Sequence, residues 1–173
     1  MISNKGTSLV EINGLFASAI PLNTMHIGLF KGSVPRLEDA LTVTPGTPNS
    51  TLISLATAFT NMGIVQANYL GSIVCPAMTP VINVDARTVT LPLSALSQSV
   101  LGLAGGTPTY FVLRQCSVAA ASQSWAGFNS TGYINNLIIG TVGTDSSDAE
   151  LRFIGGNIVA GQTYRLLDLN FQL

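Results

Sequence analysis

The most constraining feature of the chain is a strict two-residue alternation. Leu167, Leu169, Phe171 and Leu173 fall on one side of the segment Tyr164 to Leu173, with Asp168, Asn170 and Gln172 on the other. A period of two commits a segment to a β-strand with one buried face, because a helix would scatter these apolar residues around its circumference. Met25, Ile27 and Leu29 repeat the pattern and run into the turn material Gly32-Ser33-Val34-Pro35. Thr51 to Thr60 reads as a strand with Ile53, Leu55 and Phe59 on one side. Thr88 to Leu93 alternates with Val89, Leu91 and Leu93 inward, and Pro92 points to a sheet edge. Thr109 to Arg114, Tyr133 to Thr141 and Ala149 to Ile154 are further strands rich in β-formers. Tyr69, Ile73 and Val74 suggest a short strand broken by Pro76 and Pro80, and Ser94 to Leu101 a short helical stretch.

Short strands separated by Gly, Pro, Ser and Asn turns predict an all-β fold, an antiparallel β-sandwich or barrel. A βαβ arrangement would need helices of about ten or more residues between strands, and no such pattern is visible. The N-terminus differs. Leu9, Ile12 and Phe16 recur at helical spacing, Ser8 and Glu11 fit a capping box, and Pro21 ends the element. Residues 1–22 are therefore expected to form a short N-terminal helical arm, and residues 23–173 a single β domain. Glu11 and Asn13 interrupt the apolar run before Ala17-Ser18-Ala19, which argues against a secretory signal. A lone helix of this length is marginal in water, so the Leu9, Ile12, Phe16 stripe is expected to pack on a neighbouring subunit and mediate self-assembly.

Composition now limits function. Charged residues make up 9% of the chain, 7 Lys or Arg against 8 Asp or Glu for a net charge of -1, while hydrophobic residues reach 47%. An ordinary soluble domain is about 25% charged. Ser, Thr, Asn and Gln supply 51 residues, so the surface must be built from neutral polar groups. Phosphate neutralisation needs clustered cations, and Lys5, Lys31, Arg36, Arg87, Arg114, Arg152 and Arg165 stand singly, so no nucleic-acid partner is expected. No apolar run approaches the ~18 residues of a membrane helix, and no membrane partner is expected. Cys75 and Cys116 read as two buried free thiols, with a single disulfide as the alternative.

Catalytic patterns are sparse. His26 is the one histidine, and no Gly-x-Ser-x-Gly elbow accompanies it, so it reads as structural or surface-bound. Gly102-Leu103-Ala104-Gly105-Gly106 lacks a dinucleotide fingerprint and reads as turns. Asp145, Asp148 and Glu150 read as a solvated hairpin connection rather than a calcium loop. Glu38 and Asp39 are adjacent in a loop without a visible partner. No catalytic, cofactor-binding or metal-ligating residues are expected. Trp125, Phe128 and Tyr133 cluster in one long loop and are the candidate ligand-binding residues, either an aromatic platform for a glycan or a loop anchored on the core.

The order of several segments resembles small structural proteins of tailed-phage virions. Met25-His26-Ile27-Gly28-Leu29-Phe30-Lys31-Gly32-Ser33-Val34-Pro35 is similar to their opening strand and turn, and Thr51-Leu52-Ile53-Ser54-Leu55 to their second strand. Gly106-Thr107-Pro108-Thr109-Tyr110-Phe111-Val112-Leu113-Arg114 resembles their Gly-Thr-Ala-x-aromatic-Phe-Arg strand. Gly140-Thr141-Val142-Gly143-Thr144-Asp145, followed by Asp148-Ala149-Glu150-Leu151, resembles their Gly-Thr-x-Gly-x-Asp-Leu hairpin. Ile158-Val159-Ala160-Gly161-Gln162-Thr163 and the alternating strand after it resemble their ending. The chain departs from the pattern between Asn61 and Asp85 and is longer between Ala121 and Tyr133. The resemblance implies a virion component without catalytic residues or cofactor, a capsid decoration or cement protein present in many copies. Its expected partners are itself and other virion proteins, foremost the major capsid protein. The alternative is a tail, baseplate or fibre component with a glycan-binding or adaptor role.

Overall fold

Strand β1, Thr24–Phe30, is buried at every position from Met25 to Phe30, on both of its faces. Met25, Ile27 and Leu29 enter one apolar cluster, while Phe30 enters a second on the opposite side. Two-sided burial requires a strand inside a sheet covered on both faces. β1 pairs antiparallel with β2, Tyr69–Pro76, on one flank and with β6, Tyr110–Cys116, on the other. The structure, a computed structural model, describes residues 24–36, 38–39, 54–76, 78–83, 85–96, 98–116, 122–129 and 135–172.

The described residues form an all-β fold. Its remaining strands are β3 (Val81–Asn83), β4 (Thr88–Leu91), β5 (Val100–Leu101), β7 (Asn135–Thr144), β8 (Leu151–Phe153), β9 (Thr163–Tyr164) and β10 (Leu166–Gln172). Eight strands join in the order β2-β1-β6-β7-β8-β10-β4-β3, and β5 pairs with β9 in a small second sheet. The large sheet is curled into a half-barrel. Ile73 and Cys75 of β2 share one cluster with Leu91 of β4, Phe153 of β8 and Leu169 of β10, so strands far apart in the order meet across its concave face. Gly71, at φ 153°, lets β2 lie close against β5, because a Cβ there would lie 2.3 Å from the Leu101 carbonyl oxygen.

Several expectations need correction. The sheet is mixed rather than purely antiparallel. β7 and β8 run parallel, Val142 opposite Leu151 and Thr144 opposite Phe153, so the expected hairpin at residues 145–150 is a loop that returns the chain in the same direction. Leu55–Asn61 is a helix, α1, where a strand was expected over Thr51 to Thr60; residues 51–53 lie outside the described ones. Its buried residues Leu55, Ala58, Phe59 and the adjoining Met62 follow helical spacing, and the Ser54 side chain accepts a hydrogen bond from the Thr57 amide (3.2 Å) as an N-cap. The helical stretch expected from Ser94 to Leu101 is one 3-10 turn, Leu93–Ala95, before the chain extends into β5. Pro92 does not mark an edge, since β4 is paired on both sides and the proline follows its last paired residue, Leu91.

The alternation of β10 is also interrupted. A register irregularity between Leu166 and Leu169 places both of these leucines in the core, while Leu167 is half-buried and Phe171 packs from the cluster's rim. A bulge adds one residue to one strand and shifts the side chains before it to the other face. Leu173 and the arm of residues 1–22 lie outside the described residues.

Candidate functional site

The convex face of β2, β1 and β6 carries a second, largely aromatic cluster. α1 covers part of it with Leu55, Ala58 and Phe59, and a one-turn helix, α2 (Trp125–Phe128), covers another part. The Ser124 side chain caps α2 by accepting from the Gly127 amide (3.2 Å). Phe128 stacks on Phe59 and Tyr69, with ring centroids at 5.6 and 5.5 Å. Gly28 of β1 makes room for it, because a Cβ there would lie 2.7 Å from the Phe128 ring. Phe30 stacks on Tyr110 at 5.1 Å, and Trp125 meets Tyr69 at 5.4 Å.

Among the described residues, three polar side chains are buried within this face: His26, Ser72 and Arg114. Alternation along β1 puts His26 opposite Met25 and Ile27, and the register places it beside Arg114 of β6. Arg114 Nη2 donates to His26 Nδ1 (3.0 Å) and to the Gly127 carbonyl (2.7 Å). Because Nδ1 accepts, the imidazole proton sits on Nε2, which donates to Ser72 Oγ (2.7 Å). Ser72 Oγ donates to the Gln123 carbonyl (3.2 Å), which also accepts from the Tyr69 hydroxyl (2.6 Å). The guanidinium lies 5.3 Å from the centre of the Phe128 ring, and the imidazole meets that ring edge-on at 4.8 Å.

This relay runs in one direction, from Arg114 through His26 and Ser72 to a backbone carbonyl. A serine–histidine pair at this distance resembles half of a hydrolytic triad, but its polarity is reversed: the imidazole donates to the hydroxyl instead of accepting its proton. Burial, aided by the Arg114 charge, lowers the His26 pKa from 6.5 to about 3, so the ring is neutral at pH 7. Burial likewise pushes the Tyr69 hydroxyl well above its usual value and Tyr110 up to about 12. In this geometry the group fastens residues 122–129 to the sheet.

Phe128 is fully buried, and Trp125 is half-buried in the same cluster. Both anchor the loop on the core. Tyr133 and the stripe residues Leu9, Ile12 and Phe16 lie outside the described residues. Cys75 is a buried free thiol whose pKa burial pushes up to about 12. Asp145 and Asp148 are exposed. The Glu150 carboxylate accepts from the Thr141 amide (2.8 Å) and hydroxyl; burial opposes its charge, but these bonds outweigh burial and lower its pKa. Exposed Glu38 pairs with Arg36. Among the described residues no group of three or more His, Cys, Asp or Glu side chains is placed to hold a metal ion. No helix among them is long and apolar enough to cross a membrane.

The relay escapes sequence reasoning because its members are 42 and 46 residues apart, from Arg114 back to Ser72 and from Ser72 back to His26. One signal was present: the alternation of β1 assigns His26 to the face opposite its aliphatic residues. Compared with known protein families, curated proteins and solved structures, the chain matches none.

Proposed function

We propose that the protein is a structural component of a tailed-phage virion, a capsid decoration or cement protein that associates with itself and with the major capsid protein. The observation that supports this reading is an uncharged, partly apolar surface. No charged residue occurs in 88–113 or in 153–164. The β5–β9 pairing and the Gly106–Ile158 bridge bring these two stretches together. They expose Leu101, Leu103, Ile154 and Val159 at 36, 42, 64 and 50%. Such a surface repels like copies weakly and gains by being covered in a lattice. In this reading residues 23–173 close into one β-barrel or sandwich, and residues 1–22 form a helical arm whose Leu9, Ile12 and Phe16 dock on a neighbouring subunit.

Mass spectrometry of purified phage particles tests the assignment. A copy number in the hundreds that tracks the major capsid protein is expected. A count matching a tail ring would move the protein to the tail, and absence from the particle would overturn the proposal. Deleting residues 1–20 should leave a folded β domain that no longer binds particles; a truncated chain with normal particle affinity would overturn the role of the arm.

A further inference from the structure

Residues 122–129 reach the sheet through carbonyl groups. The Gln123 carbonyl accepts from Tyr69 and Ser72, and the Gly127 carbonyl accepts from Arg114. His26 stands between these attachments, bonded to Ser72 through Nε2 and to Arg114 through Nδ1. Its Nδ1 lone pair is what accepts the guanidinium N–H. A proton added at that atom turns an acceptor facing a donor into a donor facing a donor. It also sets a second positive charge beside Arg114, at a site where His26 and Arg114 are 0% and 3% exposed. Two adjacent cations out of reach of water repel strongly. The imidazole must then reach solvent, and the ring of Phe128 is part of what covers it.

We propose that residues 122–129 form an acid-released latch: protonation of His26 detaches this segment from the sheet and uncovers Phe30, Phe59 and Tyr69 while the strands stay paired. The two sides of the sheet make such a separation feasible. α2 is a single turn, whereas β1 is held by two antiparallel ladders and an aliphatic cluster on the far face to which 122–129 contributes nothing.

The groups around the imidazole leave the acid response to His26. Arg114 faces it from β6 and keeps its charge throughout. Tyr69 and Ser72 lie on the β2 side, and Tyr69 stays neutral in acid. α2 contributes the Phe128 ring and the Gly127 carbonyl, and α1, Leu55–Asn61, contains no ionisable side chain. With the latch closed the His26 pKa is about 3, against 6.5 for a solvated imidazole. The open form therefore binds the proton more readily, and opening gains about tenfold per pH unit as pH falls through that window.

The chain has one tryptophan and one histidine, Trp125 on the latch and His26 beneath it, so both signals are unambiguous. Trp125 emission should shift to the red as the full-length protein is taken from pH 7 to pH 4, while far-UV circular dichroism keeps its β signature. The NMR resonance of the His26 imidazole should move to a solvated, protonated position over the same range. His26→Gln, which can accept from Arg114 and donate to Ser72 but cannot titrate, should abolish the emission change. The proposal fails if His26→Gln responds at the same pH, if the wild-type emission stays constant to pH 4, or if it moves only as the whole fold is lost. Should His26→Gln not fold, the wild-type pair of signals decides, and independent midpoints for Trp125 and His26 would overturn the latch.

Discussion

The two faces of the β2-β1-β6 sheet are equally buried and chemically unlike. The concave face is filled by aliphatic and aromatic side chains from seven strands of the large sheet, with Met25, Ile27, Leu113, Leu151 and Leu169 among them. The convex face is closed by two short helices and aromatic rings, and it contains His26, Ser72 and Arg114. Apolar packing is tolerant of rearrangement if volume is kept, whereas a buried polar relay demands that each donor meet its acceptor. The concave side therefore carries the bulk of stability, and the convex side fixes where one segment sits.

The largest effect should come from placing a charge on the concave side. Leu169 is fully buried, and Leu169→Asp strands a carboxylate among apolar groups. Loss of the cooperative thermal transition, or an insoluble product, is expected; a mutant of normal melting temperature would show that the concave face is not the principal core.

Acid separates the two faces next. With the latch closed His26 binds no proton until pH nears 3, but the unfolded chain binds one below 6.5. Its contribution is thus complete above 6.5 and lost progressively as pH falls toward 3, on the order of 1.4 kcal/mol per pH unit within the window. Urea unfolding at pH 7 and pH 4.5 should show this loss in the wild type. His26→Gln should lack that component, while a concave-face variant such as Leu169→Ala, weaker by about 2–5 kcal/mol at both pH values, should retain it.

Arg114→Leu tests the relay from the other end. It removes the donors to His26 Nδ1 and the Gly127 carbonyl, leaving two acceptors without that partner. A cost of about 2–4 kcal/mol is expected, together with a partial rise in the His26 pKa, because burial still lowers it but the adjacent charge is gone. An unchanged histidine titration by NMR would show that the guanidinium does not govern the imidazole.

The smallest effect concerns the cover itself. Ser54→Ala removes the N-cap of α1 and should cost about 1 kcal/mol, read as a small drop in melting temperature without change in the acid response. A larger loss would mean that α1 holds the convex face more firmly than its cap implies.

Much of the concave side was legible beforehand. Met25, Ile27 and Leu29 on β1, and Val89 and Leu91 on β4, are where the two-residue period puts them. The convex side was not. Leu55 and Phe59 satisfy both an every-second-residue and a helical reading, and only Ala58 and Met62 tip the balance toward a helix. Alternation places Leu167 in the core because it carries no mark of a bulge, and the parallel course of β8 has no local signature, since strand direction is set by the partner.

What the amino-acid sequence determined by itself is the β class, the aliphatic face of each clear strand and the charge-poor surface, because periodicity and composition are local properties. Tertiary structure alone decided that the reverse face of β1 is also covered, and hence that His26 is buried rather than solvated. Its resistance to protonation below pH 6.5 follows from the low-dielectric surroundings assembled by β2, β6 and α2, and from the charge of a guanidinium 88 residues away. No window of sequence contains those neighbours, so the chemistry of that histidine exists only once the chain has folded.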